Sequence, residues 1–133
     1  MLHENILIIR DENGLGNVYH EMELSFDKVK VSIRDIITER IYQEVEKYNQ
    51  QTANYKYSLV KPKEDEIRLN NPKNKKRRLI NAEKQVEVAL KAFDNNGFFL
   101  LVDNLQAENL DQTVEIKSNT SVSFIKLTPL VGG

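Results

Sequence analysis

The apolar positions along this chain change their period several times, and each change marks an element. Ile6, Leu7, Ile8 and Ile9 follow one another within Asn5–Arg10, a run apolar on both faces that predicts a central, well-covered strand. Residues 11–17 then read as a turn, with Gly14 and Gly16 able to take positive φ. From Val18 to Phe26 the pattern alternates, with Met22, Leu24 and Phe26 on one side and Glu21, Glu23 and Ser25 on the other. That period of two predicts a strand with one wet face, and the two strands together a hairpin. By the same alternation His20 is expected at the surface. Ser32, with Asp35 three residues on, opens a helix in a pattern close to a capping box. Ile33, Ile36, Ile37, Ile41, Val45 and Tyr48 then recur at spacings of three and four, a single stripe expected to lie across the sheet. Arg34, Glu39, Arg40, Glu44, Glu46 and Lys47 are assigned to the other sides of that helix.

Residues 50–79 lose the rhythm. They are polar, contain Pro62 and Pro72, and predict a surface insertion with short strands at most, over 55–60 and 67–69. A second helix is expected over Asn81–Asn95, from Ala82, Val86, Ala89, Leu90 and Phe93, stopped by Asn95-Asn96-Gly97 with Gly97 in the left-handed cap. Phe98–Asp103 predicts a buried strand. Leu105–Ile116 is irregular, with Leu110, Val114 and Ile116 pointing inward, and Ser121–Thr128 alternates again as the last strand.

Composition narrows the chemistry. With 40% hydrophobic and 29% charged residues in 133 positions, the chain fits one globular domain and not a disordered one. Its longest apolar runs fall far short of the ~20 residues of a membrane span, and Met1–Asn5 does not read as a secretory signal, so a cytoplasmic protein is expected. The absence of cysteine removes disulfides, thiolate metal sites and a thiol nucleophile. Two separated histidines do not make a zinc site, and no base or nucleophile stands ready, so the chain is not expected to be an enzyme. Asp103, Glu108 and Asp111 fall near turns, where such residues cap backbone groups. Gly14-Leu15-Gly16 lacks the lysine and following helix of a phosphate loop.

Formal net charge is −1, but residues 61–78 alone carry +5. Lys73, Lys75, Lys76, Arg77 and Arg78 form a basic patch for a possible partner. No aromatics interleave with these side chains for base stacking, so nucleic acid is disfavoured and a solvated loop preferred. Tyr48, Tyr55 and Tyr57 form a small apolar surface near the insertion or cover the helix end.

The order of hairpin, helix, insertion, strand, irregular turn, final strand and tail resembles the β-grasp of ubiquitin and of the sulfur carriers of thiamine and molybdopterin synthesis. Two stretches carry the resemblance, residues 6–48 and 98–133. In the second, Leu110-Asp111-Gln112-Thr113-Val114-Glu115-Ile116 resembles the turn before ubiquitin's last strand. Leu130-Val131-Gly132-Gly133 falls where ubiquitin has Leu-Arg-Gly-Gly, and Pro129-Leu130-Val131-Gly132-Gly133 is similar to the Pro-Val-Ala-Gly-Gly ending of molybdopterin-type carriers. The resemblance implies an α+β fold, a β-grasp mixed sheet packed on a helix, with an inserted loop and second helix over about 50–97. It places one domain at 1–128 and a flexible tail at 129–133.

In that family the terminal carboxylate is adenylated by an activating enzyme that uses ATP, and a nucleophile then displaces AMP. The resemblance therefore makes Gly133 and Gly132 the site of adenylation and conjugation, and Pro129, Leu130 and Val131 the contacts to the activating enzyme. Glycines permit close approach in a narrow channel, and Pro129 stiffens the exit from the strand. No cofactor is expected on the chain itself. Expected partners are the activating enzyme, a conjugating enzyme, a deconjugating peptidase and a target protein, with no membrane. The absence of ubiquitin's tail arginines points to an activating enzyme of the prokaryotic type. Three functions stay open: a protein modifier of bacterial type, a sulfur carrier with Gly133 as thiocarboxylate, and a non-conjugated binding module.

Overall fold

A computed structural model describes residues 5–49 and 80–126. Strands β1 (Asn5–Glu12) and β2 (Val18–Phe26) form the predicted antiparallel hairpin, pairing Leu7 with Leu24, Ile9 with Met22 and Asp11 with His20. Its turn is held by the Asn13 side chain, which accepts from the backbone N–H groups of Leu15 and Asn17. Gly16 supplies the positive φ, +86°, that closes it.

Strand β3 (Lys30–Ser32) leads directly into helix α1 (Ile33–Asn49). The capping box is complete: Ser32 Oγ accepts from the Asp35 N–H at 3.0 Å and Asp35 Oδ2 accepts from the Ser32 N–H at 3.0 Å. Two further donors of the first turn find carbonyls in a neighbouring loop, Ile33 N–H on Gln112 and Arg34 N–H on Leu110. Replacing Ser32 with alanine is expected to cost about 1 kcal/mol. It should read as a lower urea midpoint with an unchanged m-value.

After α2 (Ala82–Asp94), capped by the Asn81 side chain, come β4 (Phe99–Val102), β5 (Leu105–Gln106), β6 (Thr113–Glu115) and β7 (Val122–Ile125). The main sheet runs β2-β1-β7-β4-β5, while β3 and β6 make a separate two-stranded ribbon. Strand β7 is parallel to β1, a pairing that needs a long crossover between them, and α1 lies within it. All other pairs are antiparallel. This is a β-grasp-like α+β fold. No helix among the described residues is long and apolar enough to cross a membrane.

The whole predicted α1 stripe, Ile33 through Tyr48, is buried against Leu7, Ile9, Leu24, Leu100, Val122 and Phe124. Helix α2 packs on α1, and Asn49 at the end of α1 accepts from the Ile80 N–H at 3.0 Å, tying the two helices together across the insertion. Phe93 of α2 meets Phe98, which in turn stacks on Phe124.

Four expectations change. Strand β1 is central but covered on one side only: Ile6 and Ile8, on the side away from the helices, remain 47% and 41% exposed. The positive φ after α2 belongs to Asn96 (+61°). Gly97 instead sits where space is tight, since a Cβ there would lie 3.1 Å from the Ala92 carbonyl oxygen. Residues 105–116 are more regular than their sequence suggests, because Asp103 and Asn104 (φ +50° and +70°) form a two-residue turn that returns the chain as β5. Finally, Arg40, Glu44 and His20 turn inward. The short strands expected over 55–60 and 67–69, and Tyr55 and Tyr57, lie outside the described residues.

Candidate functional site

Strand β7 is the last described element, and the fold clamps it on both edges. Val122, Ser123, Phe124 and Ile125 pair with Ile9, Arg10, Asp11 and Glu12 of β1. On the other edge they pair with Val102, Leu101, Leu100 and Phe99 of β4. Val122 and Phe124 point into the core. Ser123, on the opposite side of the sheet, is also buried and donates its hydroxyl to Glu12. Described structure ends at Lys126. The expected conjugation residues Gly133 and Gly132, the expected enzyme contacts Pro129, Leu130 and Val131, and the basic patch Lys73, Lys75, Lys76, Arg77 and Arg78 therefore lie outside the described residues.

Beneath β7 is a polar cluster that the sequence reading placed elsewhere. Arg40 of α1 is completely buried and Asp11 of β1 is 3% exposed. The guanidinium donates to both oxygens of Asp11 at 2.5 and 2.8 Å, and one nitrogen also reaches Glu44 at 3.4 Å. Its plane carbon lies 4.6 Å from the centre of the Phe124 ring, within cation–π range. Burial works against the charge on Arg40, but the hydrogen bond to Asp11 and the fields of Glu44 and Asp11 outweigh it, so its pKa stands raised. His20, half-buried, brings Nδ1 to 2.9 Å from Asp11 Oδ2. Nearby Tyr19 has its phenol pKa pushed up by burial and by the Asp11 carboxylate.

The cluster links a strand, a helix and the face of β7. Charged groups that bond one another this closely hold the elements that carry them in register. The signal for them was phase. Arg40 and Glu44 fall on the same three-and-four spacing as the apolar stripe, and Asp11 and His20 share strand parity with Ile9 and Met22.

Of the three carboxylates expected to cap backbone groups near turns, Asp103 does so, Asp111 makes an ion pair instead, and the Glu108 side chain does neither among the described residues. Asp103 Oδ1 accepts from the Ser121 N–H at 2.9 Å, and Asp111 makes an exposed ion pair with Arg34 at 3.6 Å. Among the described residues no group of three or more His, Cys, Asp or Glu is arranged to hold a metal ion.

The described residues thus define a β-grasp-like α+β fold with a buried ion cluster beneath β7. No protein-family model, curated protein or solved structure matches the chain.

Proposed function

We propose that this chain is a ubiquitin-like protein modifier, activated at Gly133 by an ATP-dependent adenylating enzyme and conjugated to target amines. One observation carries the reading. The β-grasp-like sheet sets β7 at its centre, parallel to β1, and in the sequence Pro129-Leu130-Val131-Gly132-Gly133 follows the end of that strand at Ile125 with three residues between. A strand buried on both faces gives a firm base from which a short tail can enter a narrow channel in another protein. In the first step a carboxylate oxygen attacks the α-phosphorus of ATP and pyrophosphate leaves. In the second a nucleophile attacks the Gly133 carbonyl and AMP leaves. Conjugation ends on a lysine amine, as an isopeptide bond. In this reading the chain is a substrate rather than an enzyme and acts in the cytoplasm. It binds no cofactor of its own and works with an activating enzyme, a conjugating enzyme, a deconjugating peptidase and a target. Residues following Gly133 in the cell would have to be cleaved first, without changing the chemistry.

The Pro-Leu-Val-Gly-Gly sequence also favours a second reading, a sulfur carrier. There sulfide attacks the carbonyl of the Gly133 acyl adenylate and AMP leaves, giving a thiocarboxylate with no change of oxidation state. Mass spectrometry of the protein recovered from its native cells, with mapping of the Gly133 peptide, separates the readings. The modifier gives a branched peptide with Gly133 on a lysine, and the carrier an oxygen-to-sulfur mass change. Unaltered carboxylate in cells that contain the activating enzyme counts against both, and leaves a binding module.

A further inference from the structure

A cleft of about 260 Å³ opens where the C-terminal end of α2 meets the start of β4 and the β5 edge. The buried Phe93, Phe98 and Ala107 lie behind it, while the surface it opens to solvent is mostly polar. Phe99 forms one wall, and the carboxylates of Asp94 and Glu108 stand at the rim. That volume falls below the ~300–1,000 Å³ usual for small-molecule and cofactor sites, and suits a single side chain.

The electrostatics of the rim are unfavourable as they stand. Asp94 occupies the last turn of α2, where the negative end of the helix macrodipole disfavours another negative charge. Glu108 lines the same cleft, and neither carboxylate has an ion pair with any described residue. The surrounding domain reinforces the sign: residues 5–49 and 80–126 carry ten basic and sixteen acidic side chains. A cation in the cleft would relieve all of these terms. Beside the cleft the surface turns apolar, because Phe99 pairs with Ile125 on the side of the sheet away from the helices.

From this geometry we infer that the cleft receives an arginine side chain of a partner protein, with an apolar neighbour of that arginine resting on Phe99 and Ile125. Arginine fits better than lysine, since its planar guanidinium holds five donors in a fixed fork and can serve two carboxylates at once. The surface lies at β7, but the inference stands apart from any chemistry of the tail.

The test uses the full chain, labelled for backbone amide NMR, and an acetylated, amidated leucine-arginine-leucine tripeptide. The peptide is expected to shift the amides of Asp94, Asn96, Phe98, Phe99 and Glu108 saturably, and its glutamine counterpart is not. The double substitution Asp94→Asn and Glu108→Gln should weaken binding at least about tenfold without lowering the melting temperature, because the Asp94 charge is unfavourable where it sits. Shifts spread evenly over the acidic surface, or unaltered by the double substitution, overturn the inference. So does a shift of the same amides, with no peptide present, when Lys73, Lys75, Lys76, Arg77 and Arg78 are changed to glutamine, because the chain's own basic segment would then be the occupant.

Discussion

Replacing Arg40 with alanine is expected to destabilise the domain by about 3–5 kcal/mol, a large part of the ~5–15 kcal/mol that holds a domain of this size together. The loss comes less from the ion pair itself than from what remains without it. Asp11 and Glu44 are both buried, and each would be left without the guanidinium hydrogen bonds seen here. Removal of the side chain also leaves a void against the Phe124 ring. Lysine at 40 keeps the charge but loses the bidentate fork, so Arg40→Lys should fall between the two. The informative control changes all three groups together. Arg40→Met with Asp11→Leu and Glu44→Leu removes every charge that would be stranded, and should come within about 1–2 kcal/mol of the parent or exceed it. Urea unfolding followed by circular dichroism reads all of these. An alanine variant within about 1 kcal/mol of the parent would mean that Arg40 is solvated in a way that its complete burial denies.

That cluster also shows where sequence pattern reads well and where it does not. Elements with one strong period came out within a residue or two: β2 over Val18–Phe26, α1 from the Ser32 cap, α2 from the Asn81 cap. Periodicity misleads where residue type overrides phase. Positions 36, 37, 40, 41, 44, 45 and 48 form one continuous helical stripe, and the structure buries all of them. Arginine and glutamate there were assigned to solvent because isolated charges avoid cores. The partner that made burial possible, Asp11, sits far along the chain on β1, and a non-local pairing leaves no local trace. The same holds for β6, three residues long, which exists because β3 lies opposite it. Strand β1 failed in the other direction. Its unbroken apolar run implied cover on both sides, while Ile6 and Ile8 face away from the helices. The cleft at the end of α2 was equally invisible, since Asp94 and Glu108 are separated in sequence and meet only through the turn at Asn96 and the β4–β5 hairpin.

Deleting Gly132 and Gly133 is expected to abolish activation while leaving the fold untouched. Two extended residues span about 7 Å, so the carboxylate of the shortened chain falls that far short of the nucleotide when the strand end is seated on the enzyme. A misplacement of only ~1 Å at a reacting centre can cost about a hundredfold, and the loss here should exceed that. The assay is pyrophosphate exchange into ATP driven by the activating enzyme from the same cells. Stability should not follow activity, because glycine has no side chain to bury in a core. The urea midpoint is therefore expected to stay that of the parent. Changing Gly132 alone to valine separates reach from shape: the carboxylate keeps its distance, but a branched Cβ enters a channel that glycine passes. Activation should fall in that variant too, through the rate at saturating protein as well as through affinity. The Arg40 and diglycine variants thus make opposite demands, one on stability through the base of β7 and the other on chemistry alone. If the shortened chain were still adenylated at the parental rate, the tail would not be the reacting group. The β-grasp-like domain would then have to act through its surfaces, and the cleft beside Phe99 would be the first of them to examine.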